Sequence, residues 1–563
     1  MPGKTLQARY AQDDQARQSG LNIVRLCSSL TKPWILPPEG QSADSRLPES
    51  FQSLGSRGVT NLVGRMLLAL YPPEQLWWQL VLSPEFRYSN IEGIEEGMTA
   101  DEVRFKAQQM GLEADGEINA VAHQFFKQSL YILVLQAQAI LESADLMATQ
   151  RRRASFRSRK RISLDQIIVT GDSLEFLTDD NLLKVFRRDQ YVTQRDSAGD
   201  VLYHIVKEHI DPLSLEEEKL QKANIPPEKL KKYPHERAED MYTLCEYQPD
   251  IKKWLVTQEM NGNVIFTREE TVTPFFSTPF ELAPGENYGR GFVELNIGDL
   301  RSYNEIRHRH LDFAAAASKH TPVIDPGSII KPSDLEKDSG EAIIGEVNGG
   351  VVTRATIMGA NKFADFRVVH DIGEIIRRDL SKAMLIESEM QPQKERVTAE
   401  QIRRIAFELE GALGGAYAPI ADEQQVPLLK RVVYKMQKSK ANQFLDRLVK
   451  PGIIKIEALT GLAALGRQIE QSKVLTAGQI FQQLPPEAQQ KIDWGVWVDL
   501  VSRTLGLNEP GLIRSTGQEK QESQQAQQAA LQQAAAEQAI QSAGTIAENV
   551  ATDRLTGNNG SQV

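Results

Sequence analysis

The residues best able to do chemistry in this chain are few and scattered. Eight histidines occur, and none sits in an HExxH pattern or a CxxC-type set of the kind that holds zinc. His308 and His310 stand two apart in a stretch that reads as helix, so they point in different directions and cannot share a metal. His204 and His209 lie in or near a strand with Asp211, and no metal site is expected there. Tyr288-Gly-Arg-Gly291 has two glycines but lacks the third that a dinucleotide fingerprint requires, so it reads as a tight turn before a long helix. No GxxxxGK[ST] phosphate loop occurs, so the chain is not expected to be the ATPase of a motor. The acidic pairs Glu95-Glu96 and Glu269-Glu270 are adjacent and read as solvated. No catalytic signature survives, so no enzyme, cofactor or metal is expected.

One charge cluster stands apart. Residues Arg151 to Arg161 hold seven basic side chains in eleven and no acid. This is either a contact to nucleic acid or an acidic protein, or an exposed loop or subunit contact. The second reading is preferred, because the whole chain is acidic. Lys and Arg number 65 against 75 Asp and Glu, a formal net charge of -10. A protein that coats nucleic acid is expected to be basic, since released counterions supply most of its affinity. Any DNA contact should therefore be local or loose.

The 563 residues correspond to roughly three to four domain-sized pieces, ample for buried cores. The two cysteines, Cys27 and Cys245, are too few for a disulfide framework and read as reduced cytosolic thiols. The longest apolar runs, Met66–Tyr71 and Leu130–Leu135, fall far below the ~20 residues that span a bilayer. The charged N-terminal stretch around Arg9, Asp13, Asp14 and Arg17 is unlike a signal peptide.

The elements that must position these groups follow from periodicity and punctuation. An N-terminal helix is expected to end at Lys32-Pro33, because a residue before proline is pushed out of the helical region. Phe51, Leu54, Leu62, Met66 and Leu70 recur at helical spacing, and Tyr71-Pro72-Pro73 stops that helix. Trp77-Trp78 reads as strand, Ile118–Gln150 as helix, and a helix around Leu164–Val169 leads to a strand at Ser173–Leu177. From Leu182 to Phe280 the chain is β-rich, with turn chemistry at Ser197-Ala-Gly199 and Asn261-Gly262-Asn263. A charged helical segment at Leu213–Lys232 interrupts it.

Two long helices come next. Asn296 is a candidate N-cap with Asp299 in the first turn, and Thr321-Pro322 ends the first helix. Nine Gly and Pro residues punctuate Thr321–Gly359, with strand-like pieces at Glu341–Val347 and Val351–Ile357. The second helix runs from about Asn361 to Glu387. Neither shows a broad apolar stripe, so a lone hairpin of this kind needs neighbours, and copies of itself in a closed ring would supply them. A polar loop, Gln391–Arg396, leads to a helix capped by Thr398, with Ile402, Ile405, Leu409, Leu413 and Ala416 as its core face. A small helical unit with Trp494 and Trp497 is expected over Gly452–Leu507. Ten glutamines lie between Gln518 and Gln541, in a tail whose last residues, Gly557–Val563, read as loose.

Several of these stretches, taken in order, resemble the head-to-tail connector, or portal, family of short-tailed double-stranded-DNA phages. They are Asn61–Pro73, Ile168–Asp172, Asp189–Asp196, Tyr288–Glu294 with Gly298–Ser302, Val397–Ile402, Glu408–Tyr417 and Pro427-Leu428. The resemblance implies an α+β, portal-type subunit assembling into a ring of twelve. Its parts would be an N-terminal arm (1–50), a wing of helices and β-rich insert (51–295), stem helix 1 (296–320), a small α/β clip (321–360) and stem helix 2 (361–387). A channel loop (388–397), a wing helix region (398–451), a helical crown (452–507) and a Gln/Ala-rich tail (508–563), helical or disordered, would complete it. The same resemblance implies a place at one vertex of the virion capsid, after assembly in the host cytoplasm. It also implies passage of double-stranded DNA during packaging and ejection, and docking to the terminase large subunit, tail adaptor proteins, and major capsid and scaffolding proteins. No membrane contact is expected.

Within that frame, Lys394 and Arg396, with Gln391 and Gln393 beside them, become the candidates for touching DNA, and Arg377, Arg378 and Lys382 are weaker ones. The competing reading is an oligomeric scaffold or minor head protein without a DNA channel.

Overall fold

The computed structural model describes residues 5–41, 45–72, 77–82, 134–138, 155–317, 363–386, 399–438 and 454–458, the strands between 321 and 358, and isolated residues at 141 and between 474 and 501. It is an α+β chain with antiparallel sheets. Two compact units emerge, one formed by 1–77, 139–434 and 458–462, the other by 78–138, 435–457 and 463–563.

The longer helices are α1 (Leu6–Ala16), α2 (Gln18–Leu30), α3 (Leu54–Leu70), α4 (Phe156–Thr170), α5 (Ile297–Ala317), α6 (Phe363–Ala383), α7 (Ala399–Ala412) and α8 (Tyr417–Gln437). The strands are β1 (Trp78–Leu82), β2 (Asp172–Leu177), β3 (Leu183–Phe186), β4 (Tyr191–Arg195), β5 (Val201–Ile210), β6 (Glu239–Gln248), β7 (Lys253–Met260), β8 (Asn263–Glu270) and β9 (Phe275–Pro279). Beyond them lie β10 (Thr321–Ile324), β11 (Val347–Asn348), β12 (Val351–Val352), β13 (Ala355–Met358) and β14 (Ile454–Ala458).

A five-stranded meander, β4-β5-β6-β7-β8, faces a three-stranded sheet ordered β3-β2-β9. Successive strand residues point to opposite faces, and here both faces of the meander are covered. Tyr191, Val206, Cys245 and Val256 meet Leu174, Phe186 and Phe275 on one side. Their chain neighbours Val192, Ile205 and Leu244 pack under Leu6 and Tyr10 of α1 on the other. The short helices of 217–237 roof a third cluster at Met241, Met260 and Ile265, through Ala223 and Ile225.

The single N-terminal helix expected from sequence is two helices, broken at Arg17. At this junction the buried Arg17 guanidinium donates to the backbone oxygens of Arg188, Asp189 and Tyr191. Strands β3 to β9 fall within the stretch that reads as β-rich, whereas β14 stands where the 452–507 region reads as helical; it pairs with β1. Most of the helix expected at 118–150 lies outside the described residues.

The glycines of the Gly289–Gly291 turn have a packing role. Gly171, at φ +79°, lies so close to this turn that a Cβ on it would sit 2.2 Å from the Gly289 oxygen and 2.6 Å from the Gly291 nitrogen. Phe280 N–H donates to the Gly171 oxygen and Arg290 N–H to the Glu281 oxygen. This backbone crossing fixes the segment that opens into α5.

Candidate functional site

Helices α5 and α6 lie antiparallel, with Ile306 opposite Gly373 and the His310 and His370 rings 5.6 Å apart. A Cβ on Gly373 would come within 3.0 Å of Ile306 Cγ2, so glycine sets their close approach. Burial, then His370 and Arg307, hold the His310 imidazole below the ordinary histidine range. His308 turns elsewhere and stacks on Phe51, ring centroids 4.0 Å apart.

No broad apolar stripe is expected on either helix, but α6 carries a narrow, exposed apolar row. Val368, Ile372 and Ile375 follow one another at i, i+4 and i+7 and are 59%, 48% and 56% exposed. That spacing puts them on one face, and Leu311 of α5 is 53% exposed as well.

The far end of α6 is held firmly. Asn61 of α3 donates its amide to the carbonyls of Met384 and Leu385, at 3.0 and 2.8 Å. Met384 packs so tightly on Gly58 that no Cβ fits there. Leu385 adopts φ 53°, Leu385 N–H donates to the Lys382 oxygen, and Ile386 N–H reaches back to the Ser381 oxygen. This double closure is a Schellman motif, built here without the usual glycine. One turn along α3, Arg65 pairs with Glu408 of α7 at 2.7 Å. The chain therefore leaves α6 toward 388–397 from a fixed point.

Of the sequence-derived candidates, Arg377, Arg378 and Lys382 all lie on α6. Arg377 is paired with Glu374 at 2.9 Å, while Arg378 and Lys382 are exposed. Gln391, Gln393, Lys394 and Arg396 lie outside the described residues. Arg377 also borders a cleft of about 580 Å³, where Arg57, Arg307, Ser53 and Ser381 line the wall with it. Arg57 and Arg307 come from α3 and α5, so no local sequence pattern could join them to Arg377.

The remaining candidates resolve into structural roles. The basic cluster is not a loop from residue 156 onward: Ser155 caps α4, accepting from Ser158 N–H. Lys160 is fully buried and pairs with Glu175 at 2.6 Å. The Glu269-Glu270 pair is solvated only at Glu269; Glu270 is buried between Arg431 and Arg268. Both cysteines are buried and free, and burial pushes each thiol up to about 12.

His204 is buried against Thr193, ring nitrogen to hydroxyl 2.9 Å, whereas His209 is exposed beside Asp240. Five residues apart on β5, they occupy opposite faces. Among the described residues no cluster of three metal-ligating side chains occurs. Burial, then Arg195, drives the His204 imidazole down from 6.5 to about 3. The unfolded chain binds a proton at His204 below pH 6.5 that the folded chain refuses. Stability from this group is complete above that pH and declines as pH falls toward 3, by at most about 1.4 kcal/mol per pH unit. Urea midpoints at pH 7 and pH 5 are expected to separate in the wild type and to separate less in His204→Gln. Equal separation would assign the effect to another group.

No helix among the described residues is long and apolar enough to cross a membrane. The family model described as bacteriophage head to tail connecting protein matches residues 3–513. The portal protein of Escherichia phage T7 is 27% identical over 91% of this chain and 88% of its own. That of Enterobacteria phage SP6 is 24% identical over 92% and 91%, and that of Pseudomonas phage phiKMV 24% over 92% and 94%. Among solved structures, the neck of an empty GTA particle aligns over 77% of this chain and 91% of that one, at 11% identity and TM-score 0.33.

Proposed function

The chain belongs to the bacteriophage head to tail connecting protein family and has the function of a phage portal; from that premise we propose that it forms a ring at one capsid vertex through which double-stranded DNA is packaged and ejected. The observation that carries this is the family match from residue 3 to 513. The exposed stripe Val368, Ile372 and Ile375 supports the ring, because a lone subunit leaves these side chains in water. Covering them against a neighbour would contribute on the order of 1 kcal/mol each.

In this reading α5 and α6 are the stem, the β10–β13 region between them is the clip, and 388–397 is the channel loop. The meander with its flanking helices is the wing, and 452–507 the crown. The number of copies would be twelve. The terminase large subunit, tail adaptors, and the major capsid and scaffolding proteins would be the partners, and assembly would occur in host cytoplasm. The protein would act as a conduit, with no catalytic step of its own.

The mechanism follows from charge. Each phosphate held by a cation adds affinity, so a densely basic bore would stall the duplex. An acidic wall with a few cationic rings centres the duplex and lets it slide. Lys394 and Arg396, flanked by Gln391 and Gln393, are assigned to those rings. Arg378 and Lys382 are auxiliary, and Arg377, already engaged by Glu374, contributes less. The fixed exit at Leu385 would give every copy of the loop the same height in the ring.

Negative-stain microscopy of the purified protein should show annular particles with a stain-filled hole. A solid particle would favour the scaffold reading. Lys394→Ala with Arg396→Ala should leave those rings intact while packaging or retention of DNA drops. Wild-type packaging and retention in the double variant would remove the assignment.

A further inference from the structure

We propose that the Arg57–Arg307–Arg377 cleft is the socket for the Asp379 carboxylate of a second copy of this chain. This rests on the ring reading and specifies which surfaces meet. Three guanidiniums from α3, α5 and α6 border the same cleft, together with the hydroxyl-bearing Ser53 and Ser381. Arg377 has Glu374, but Arg57 and Arg307 form no ion pair among the described residues, and both are exposed. The first turn of α3, which also opens onto the cleft, carries no acid; its Gly55 N–H is capped by the neutral Gln52 amide oxygen, which adds no negative charge. The cleft thus carries more positive charge than its own subunit neutralises.

The complementary group lies on the opposite side of α6. At 100° per residue, Asp379 points about 200° away from Arg377. It continues the stripe of Val368, Ile372 and Ile375 at i+11, i+7 and i+4 respectively, is exposed, and has no cation partner among the described residues. An acid near a helix C-terminus is disfavoured by the helix dipole, and no ion pair among the described residues offsets this for Asp379. Cleft and stripe face opposite ways on one subunit, as a heterologous, head-to-tail contact demands. Asp379 is also near the level of Arg377 along α6, so rotation about a ring axis brings it toward the cleft of the next copy. The stripe then packs beside the ion pair it delivers.

The test uses the full-length protein. Asp379→Arg, and separately Arg57→Glu with Arg307→Glu, should each lower the yield of rings at least tenfold at fixed protein concentration. Asp379→Arg combined with Arg307→Asp should recover most of it. All these positions are exposed, and unchanged circular dichroism will show that the subunit still folds. Asp379→Cys with Arg307→Cys, treated with a short bis-maleimide, should give a ladder beyond the dimer, because a head-to-tail contact propagates. Cross-linked dimers from Asp379→Cys alone would indicate a self-facing contact and overturn the proposal. Wild-type ring yield in Asp379→Arg would also overturn it, leaving the ring itself standing. If Arg57→Glu with Arg307→Glu forms normal rings but binds duplex DNA more weakly, phosphate is the occupant and the proposal fails. A wild-type chain that never forms annular particles would remove the reading on which the proposal rests.

Discussion

Lys160→Met should destabilise the fold by about 3–5 kcal/mol, read from the denaturant midpoint by circular dichroism. The ammonium and the Glu175 carboxylate are both fully buried and meet at 2.6 Å. Burial pulls the Lys160 amine below its ordinary range, against the opposing pull of Glu175. Removing the lysine leaves a carboxylate in the interior with, among the described residues, only the Gln424 amide, 3.3 Å from its other oxygen, to satisfy it. Replacing both partners is a different experiment, since a well-packed apolar pair of similar volume is often neutral or stabilising. Lys160→Met with Glu175→Leu is therefore expected to recover most of the loss. A single variant as stable as wild type would mean that water reaches the carboxylate.

Gly171→Ala should be at least as damaging, by more than about 4 kcal/mol. Two penalties act together. The φ of +79° costs an L-residue roughly 1–2 kcal/mol. In addition, the new Cβ would press on backbone atoms at 2.2 and 2.6 Å, which cannot rotate aside as a side chain can. Gly289→Ala meets the same crossing from the other side, with the Gly171 oxygen at 2.4 Å. Gly285 and Gly298 are the controls. Gly285 has positive φ but open space around it, and Gly298 has open space and no such φ. Gly285→Ala should therefore cost only about 1 kcal/mol, and Gly298→Ala, within α5, should be neutral or slightly stabilising. Thermal melts of the four variants in parallel check the order. If Gly171→Ala and Gly285→Ala melt together, the crossing does not govern stability.

What the sequence made legible was local. Prolines after Leu70 and around residue 322, the turn chemistry at Asn261-Gly262, and helical spacing in 54–70 and 399–412 each act within a few residues. The structure has elements at those places, with Ile405, Leu409 and Leu413 buried as their spacing suggested. What was not legible depends on partners far away in the chain. Arg17, at the junction of α1 and α2, is buried because carbonyls 171 to 174 residues on accept from it. Glu270 reads as one of two solvated acids until Arg431, 161 residues later, closes on it. Lys160 reads as one basic residue among seven until β2 brings Glu175 beneath it. The candidate site divides the same way. The long helices could be read from the order of elements, whereas the arginine cleft required three separate helices to converge.

The two thiols bear on how this protein can be studied. Cys27 and Cys245 are buried and far from the thiolate form at neutral pH, so maleimides and spin labels will find little to react with. A cysteine placed at Lys394 or at Asp379 then becomes the single reporting position in each subunit, with no need to strip the native ones. On the proposed ring, a fluorophore at Lys394 would test whether that position faces the bore and one at Asp379 whether it meets a neighbour, in a background that is already chemically silent.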